Sequence, residues 1–158
     1  TGAETRPSLG LDEARQPVRL LTPSDASTLL KGSSVVTLDV GSSLEYEAGH
    51  LLGAKWMSRG WLELKLPGHV SDGAQAILIS CPDGAPSIFA ARALAKCGYS
   101  NVYVLDGGVR AWIAAGLPTE SGLTACLTEI NDVVLSPSIK GNKEDMQRYL
   151  DWELELKA

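Results

Sequence analysis

Cys81 is the residue of this sequence that is best placed to act as a nucleophile. It lies between the apolar run 76–80 and the alanine-rich stretch 87–96, at a predicted junction between a buried strand and a helix. Backbone N–H groups and the positive end of the helix dipole at such a junction favour a thiolate, so we expect the pKa of Cys81 to lie below its ordinary value. A thiolate is a nucleophile, and a persulfide formed on it would keep the same negative charge. The alternative is that Cys81 is a small apolar residue at the end of a strand.

The other two cysteines, Cys97 and Cys126, lack this environment. Cys97 precedes Gly98, which is predicted to end a helix, and we expect its side chain to be buried and unreactive. Cys126 lies in a connection whose sequence indicates no role. Three widely spaced cysteines, without a C-x-x-C pair or a histidine at zinc-ligand spacing, predict neither a disulfide framework nor a metal site. Reduced thiols favour a cytoplasmic location.

Segments with strand-like and helix-like patterns alternate on either side of Cys81. Strands are predicted at residues 18–21, 35–40, 54–57, 76–80 and 102–105, and helices at 23–30, 44–48, 61–66, 87–96 and 109–115. This alternation predicts an α/β fold with a mainly parallel sheet that helices cover on both faces. Because sites in such sheets form at the carboxyl ends of strands, we expect Asp39, the loop after Cys81 and the turn 106–108 to lie close together.

The composition agrees with one globular domain and excludes several classes of protein. The chain has 158 residues, of which 44% are hydrophobic and 21% charged, and its formal net charge is −5. These fractions are near globular averages, so disorder throughout the chain is excluded. No apolar run approaches the ~20 residues of a membrane-spanning helix, and the acidic balance argues against binding to nucleic acid. We therefore expect neither a membrane nor a nucleic-acid partner.

Three segments, taken together, resemble the signatures of the rhodanese-like family. They are Asp39-Val40 with residues 45–54, the loop 81–87 and the segment 105–112, and they occur in the order and spacing of that family. The resemblance implies a five-stranded parallel sheet flanked by helices on both faces. It also implies a sulfurtransferase that carries sulfane sulfur as a persulfide on Cys81 and needs no metal or organic cofactor. Its donor would be a small sulfur compound such as thiosulfate or a persulfide, and its acceptor a thiol or cyanide.

The resemblance assigns an active-site loop that follows Cys81. The loop comprises Pro82, Asp83, Gly84, Ala85, Pro86 and Ser87. Backbone amides from Asp83 to Ser87, with the exception of Pro86, would surround the sulfur. Related phosphatases carry an arginine six residues after the cysteine, where it clamps phosphate, and here that position is Ser87. The sequence therefore favours sulfur transfer over phosphate hydrolysis.

The charges around the loop bear on the choice of donor. Asp83 is the one charged residue within the loop, and its sign is wrong for an anionic donor such as thiosulfate. Arg59, Arg92 and Arg110 are the candidates to supply a positive charge from outside the loop, and Arg59 and Arg110 are the ones selected as possible substrate contacts. Asp39 is a candidate for substrate contact or for support of the loop, through bonds to its amides or to an arginine.

Three further side chains are interpreted as structural. Trp56 and Trp61 are expected to pack in the core rather than to line the mouth of a pocket. His50 follows Gly49 and is expected to tie a turn rather than to take part in catalysis.

The ends of the chain lie outside the predicted α/β unit. Residues 1–17 indicate a linker or loose arm, 18–118 the rhodanese-like domain, and 119–158 an extension with a helix from about 142 to 156. Met146, Tyr149 and Leu150 share one face of that helix, which we expect to pack on the domain or on a second copy of the chain. An alternative function follows from this extension and from the lack of a cation in the loop. The chain would then be a non-catalytic, regulatory rhodanese-like module of a longer protein, with other domains or a homodimer partner against the helix.

Overall fold

The computed structural model describes residues 18–32, 34–133 and 143–156, in which strands and helices alternate. The strands are β1 (Arg19–Leu21), β2 (Val35–Asp39), β3 (His50–Leu51), β4 (Lys55–Trp56), β5 (Ala76–Ser80), β6 (Val102–Leu105) and β7 (Thr119–Glu120). The α-helices are α1 (Pro23–Gly32), α2 (Ser43–Ala48), α3 (Leu62–Lys65), α4 (Ala85–Lys96), α5 (Gly108–Ala114) and α6 (Lys143–Leu156), and short 3₁₀ turns at Arg59–Trp61 and Leu66–Gly68 flank α3. The linker predicted for residues 1–17 lies outside the described residues.

Five strands form one parallel sheet in the order β1-β6-β5-β2-β4. Alternate residues of the central strand β5 enter two separate cores. Ile77 and Ile79 pack in one of them with Leu94 of α4, and Leu78 packs in the other with Trp112 of α5. Both faces of β5 are therefore buried, which explains why its sequence is a continuous apolar run instead of an alternating one. The predicted α/β fold, with a five-stranded parallel sheet flanked by helices, is confirmed.

Most of the predicted elements in this sheet lie within one or two residues of the observed ones. β5 and β6 have the predicted bounds, because each is a short apolar run between polar turns. Helix α4 begins earlier than predicted, at Ala85, because Gly84 has a positive φ of 93° and turns the chain into the helix at once. The early start brings the first turn of α4 next to Cys81.

The segment 119–132 packs against the domain, although the sequence indicated a domain boundary before it. Its first residues form β7, which pairs with β3 in a second, antiparallel sheet. Further along, the Trp56 N–H donates to the carbonyl of Ala125 and the Leu127 N–H to the carbonyl of Trp56, both at 2.8 Å. The Asp132 carboxylate accepts from the first N–H of α2 at 2.7 Å. The compact unit therefore reaches residue 132.

Helix α6 has nearly the predicted bounds, but the apolar side chains that the structure describes on it are not buried as expected. Leu150 is 44% exposed, and Trp152 and Leu154 are more exposed than that. The side chains of Met146 and Tyr149 lie outside the described residues. Leu150 therefore does not bury itself on the domain, and packing of α6 on a second copy stays a prediction. Neither α6 nor any other helix of the described residues is long and apolar enough to span a membrane.

Candidate active site

The loop between β5 and α4 holds Cys81 at the carboxyl end of the sheet. Cys81 directly follows β5, and the Gly84 N–H donates to its Sγ at 3.2 Å. A side chain at position 84 would be strained at the positive φ and would face the backbone nitrogens of Gly107 and Gly108 at 3.3 and 3.4 Å. A glycine is therefore favoured at this position, where the loop turns into α4 and passes close to the backbone of Gly107 and Gly108.

The N-terminus of α5 anchors the same loop from the other side. The Val109 N–H donates to the carbonyl of Cys81 at 2.9 Å, and the Arg110 N–H donates to the carbonyl of Pro82 at 3.1 Å. A Cβ atom on Gly108 would lie 2.2 Å from the carbonyl oxygen of Cys81, so a glycine lets the two backbones come this close. The turn 106–108 and the loop after Cys81 therefore lie in contact, as the sequence indicated.

Burial dominates the electrostatics of the Cys81 thiol. Its side chain has no exposed surface, and this burial raises the pKa of Cys81 above its ordinary value. Smaller effects lower the pKa, since the hydroxyl and N–H of Ser87 and the N–H of Gly84 all favour the thiolate. The negative charge of Asp83 acts in the same direction as burial. The expectation of a lowered pKa is therefore wrong, because the sequence indicated the donors but not the depth of the sulfur.

The amide groups of the loop do not all face the sulfur. The Ala85 N–H donates to the Asp83 carboxylate at 3.0 Å, and Pro86 has no N–H. The N–H groups of Gly84 and Ser87 are left to act on the thiol. Fewer amides therefore act on the sulfur than the sequence suggested, because the Asp83 side chain binds one of them.

Asp39 supports the loop from the neighbouring strand. It ends β2, is 2% exposed, and its carboxylate accepts hydrogen bonds from the Gly41 N–H at 2.9 Å and from the Ser80 hydroxyl at 3.4 Å. Gly41 in turn lies against Pro82, since an added Cβ atom would be 3.0 Å from the proline ring. Among the described residues no arginine pairs with Asp39. Sequence analysis missed Gly41 and Ser80, whose signals are a glycine just after the strand and a polar residue that ends an apolar run.

The buried carboxyl of Asp39 should make the protein less stable as the pH rises. Burial raises the pKa of Asp39 from 3.8 to about 6, so the folded protein holds this proton more tightly than the unfolded chain does. The free energy of unfolding should therefore fall as the pH rises from 3.8 through about 6, by at most about 3 kcal/mol. Asp39→Asn should remove this loss, and denaturant titrations should show that it is more stable than wild type only at the higher pH.

Ser80→Ala is the matched control for this prediction. It removes a hydrogen-bond donor to Asp39 but keeps the carboxyl group, so the pH dependence of its stability should persist. Wild type and Asp39→Asn with parallel pH dependence would contradict the role assigned to this carboxyl.

Arg59 and Arg110, the possible contacts for an anionic sulfur donor, differ in their surroundings. The Arg59 guanidinium binds both carboxylate oxygens of Glu63 at the surface, at 2.9 and 3.0 Å. Arg110 is bound to the loop through its backbone, while its side chain is exposed and forms no ion pair with any described residue. Arg110 is therefore the stronger candidate for a positive charge at the loop.

Trp61 and Cys97 are exposed, contrary to expectation. Trp61 is 40% exposed and lines a surface cavity of about 540 Å³ together with Cys126. Cys97 is exposed because it follows the last turn of α4 at the protein surface. Trp56 is fully buried, as predicted. The described residues contain no group of three or more His, Cys, Asp or Glu side chains that could hold a metal ion.

His50 has the structural role that its position indicated, although it lies in strand β3 and not in a turn. Its ring stacks on that of Tyr46, with 3.6 Å between centroids, and its Nδ1 lies 2.6 Å from the Tyr46 carbonyl oxygen. Its Nε2 lies 3.0 Å from Oγ1 of Thr124 and 3.2 Å from the Glu120 carboxylate. The buried ring thus joins helix α2 to the segment 119–132.

Comparison with known proteins points to one family. Residues 22–115 match the sequence profile of the Rhodanese-like domain. The thiosulfate sulfurtransferase GlpE of Pseudoalteromonas translucida (strain TAC 125) is 36% identical over 87 residues, which make up 55% of this chain and 81% of that protein.

Two solved structures share the fold over most of this chain. The thiosulfate sulfurtransferase from Pseudomonas aeruginosa has a TM-score of 0.78 and 30% identity, over 88% of this chain and 26% of that chain, so this chain spans about a quarter of its length. The polysulfide-sulfur transferase homodimer from Wolinella succinogenes has a TM-score of 0.63 and 28% identity, over 72% of this chain and 85% of that one. The names of both structures describe transfer of sulfur.

Proposed function

Because this chain belongs to the rhodanese-like domain family, we propose that it is a sulfurtransferase that carries sulfane sulfur as a persulfide on Cys81. The observation that supports this most is the hydrogen bond from the Gly84 N–H to Sγ of Cys81 at 3.2 Å, in a loop that the N-terminus of α5 also holds. A backbone donor directed at a sulfur stabilises negative charge there, on a thiolate and on a persulfide alike. The names of the relatives support sulfur transfer as the class of reaction.

The proposed reaction consists of two displacements at sulfur. In the first, the Cys81 thiolate attacks the sulfane sulfur of the donor and forms a new S–S bond. The bond within the donor breaks, and its electron pair leaves with the rest of the donor, which is sulfite when the donor is thiosulfate. In the second, a thiolate or cyanide acceptor attacks the outer sulfur, and the electron pair of the S–S bond returns to Cys81. The cycle consumes no oxidant or reductant.

The depth of Cys81 sets two conditions on the first step. The side chain has no exposed surface, so the sulfur atom of a donor reaches it only when the loop moves slightly. Burial also raises the pKa of Cys81, so the fraction of thiolate, and with it the rate of sulfur uptake, should increase with pH.

The charges at the loop favour a donor of low charge. Asp83 is exposed within the loop, and Arg110 is attached to it through the Pro82 carbonyl. These opposite charges offset one another, whereas thiosulfate carries two negative charges and gains little from a loop of this kind. We therefore propose small persulfides as better donors than thiosulfate, with Arg110 as the contact for an anionic donor. A small thiol is the proposed acceptor, and cyanide can replace it in an assay.

Measurement of the intact mass tests this function. The protein is incubated with thiosulfate or with a small persulfide, at neutral and at alkaline pH because the Cys81 thiol is buried. Wild-type protein should gain one sulfur atom that a thiol reductant removes, and Cys126→Ser should gain it equally. If the wild type gains no sulfur from either donor at either pH, the proposal is contradicted, and a regulatory, non-catalytic module becomes the better interpretation.

A further inference from the structure

The hydroxyl group of Ser87 is a buried donor without a partner. Ser87 lies in the first turn of α4 and its side chain has no exposed surface. Among the described residues, its Oγ is the buried side-chain polar atom for which no hydrogen-bond partner is found. Burial of an unpaired hydroxyl is unfavourable, so a group of this kind in a native protein calls for a ligand or a functional role.

The hydroxyl lies beside the reacting sulfur of the proposed function. Both it and the Ser87 N–H favour the thiolate form of Cys81, although Oγ makes no hydrogen bond of ordinary geometry in the resting protein. The hydroxyl is therefore close enough to influence the thiol, although it makes no regular hydrogen bond in the resting protein.

The loop also has few other hydrogen-bond donors for the outer sulfur atom of a persulfide. Pro86 has no N–H, and the Ala85 N–H is occupied by the Asp83 carboxylate at 3.0 Å. Gly84 already donates to Sγ of Cys81. An outer sulfur with a full negative charge needs further donors, and the Ser87 hydroxyl is a buried one that is still unused.

We propose that Ser87 is a catalytic residue whose hydroxyl donates a hydrogen bond to the outer sulfur of the persulfide on Cys81. This role rests on the proposed function and extends it to a specific recognition of sulfane sulfur. As the donor sulfur bonds to Sγ, the electron pair of the broken bond leaves with the rest of the donor and carries away the negative charge of the attacking thiolate. The outer sulfur keeps the negative charge that it brought from the donor. The Ser87 hydroxyl keeps its proton throughout and gains the acceptor that it lacks in the resting protein.

The experiment compares Ser87→Ala with Ser87→Thr, which keeps a hydroxyl group. Sulfur uptake from a small persulfide is followed by intact mass in a single turnover over a range of pH, and thermal unfolding is measured in parallel. Ser87→Ala should take up sulfur about tenfold more slowly than wild type, and Ser87→Thr should recover much of the rate. Because the hydroxyl is unpaired in the resting protein, Ser87→Ala should unfold at the same temperature as wild type or higher. Ser43→Ala removes another buried serine hydroxyl, outside the loop, and should take up sulfur at the wild-type rate.

Each other outcome has a distinct meaning. A wild-type rate in Ser87→Ala would overturn the role of Ser87 and leave the proposed function intact. A lower unfolding temperature for Ser87→Ala would show that the hydroxyl is a structural bond of the resting protein and would overturn the role as well. Absence of sulfur uptake by the wild type would instead overturn the proposed function, and this inference with it.

Discussion

Replacement of Cys81 by serine is expected to lower the rate of sulfur transfer at least about a thousandfold, because the residue proposed to form the covalent intermediate is lost. Serine is close to cysteine in size, so the buried site should stay filled and the protein folded. The rate is measured as thiocyanate formed from a sulfur donor and cyanide, with thermal unfolding as a check of the fold.

Cys97→Ser and Cys126→Ser are the controls for this loss. Cys97 is exposed at the end of α4, and Cys126 lies beside β4, so neither shares the loop that surrounds Cys81. Both variants should retain transfer close to that of wild type. If sulfur transfer survives in Cys81→Ser and disappears in one of these variants, the cysteine replaced in that variant is the sulfur carrier instead of Cys81.

Gly108→Ala is expected to have the largest effect on stability. An alanine Cβ would lie 2.2 Å from the Cys81 carbonyl oxygen and 2.7 Å from the Gly84 nitrogen, at a φ of +65° that alanine rarely adopts. The strain of the left-handed conformation and the steric overlap together should cost about 2–5 kcal/mol. For a domain of this size the unfolding temperature should fall by about 10 °C, and sulfur transfer should fall with it because the same atoms hold the loop.

Gly116→Ala separates the two causes of this loss. Gly116 follows the same helix α5 and has a φ of +72°, but an added Cβ atom would have no neighbour within 4 Å. It should therefore lose only the conformational part, about 1–2 kcal/mol, and keep its activity. Equal losses of stability in Gly108→Ala and Gly116→Ala would show that the close approach of α5 to the loop contributes nothing.

The sheet could be predicted from the sequence because its central strands carry a local pattern. β5 and β6 are apolar runs between polar turns, and their bounds follow from that alone. The second sheet could not be predicted, since β3 and β7 have two residues each and pair positions that are distant in the chain, such as His50 and Glu120. The same holds for the segment 119–132, whose place on the domain depends on contacts between distant residues rather than on periodicity.

The position of Cys81 at the carboxyl end of a strand was predictable, whereas its electrostatic environment was not. Cys81 stands at a strand end followed by a glycine and a helix start, and this arrangement is local. The depth of the thiol depends on tertiary packing, which reversed the expected direction of its pKa shift. The hydrogen bond from the Ala85 N–H to the Asp83 carboxylate depends on a side-chain conformation that residue types alone do not determine. The unpaired hydroxyl of Ser87 likewise emerged only once its surroundings were known.

The segment that follows α5 also closes one edge of the sheet. An open edge strand exposes N–H and C=O groups that can pair with a strand of another molecule and so initiate aggregation. On β4 the N–H and the carbonyl of Trp56 are both occupied, by Ala125 and Leu127, and this edge offers little to a second chain. At the opposite edge, β1 has three residues and begins with Arg19, and both its shortness and its charge hinder such pairing. A chain that ended after α5 would therefore expose unpaired backbone groups on β4, which the segment 119–132 covers in this protein.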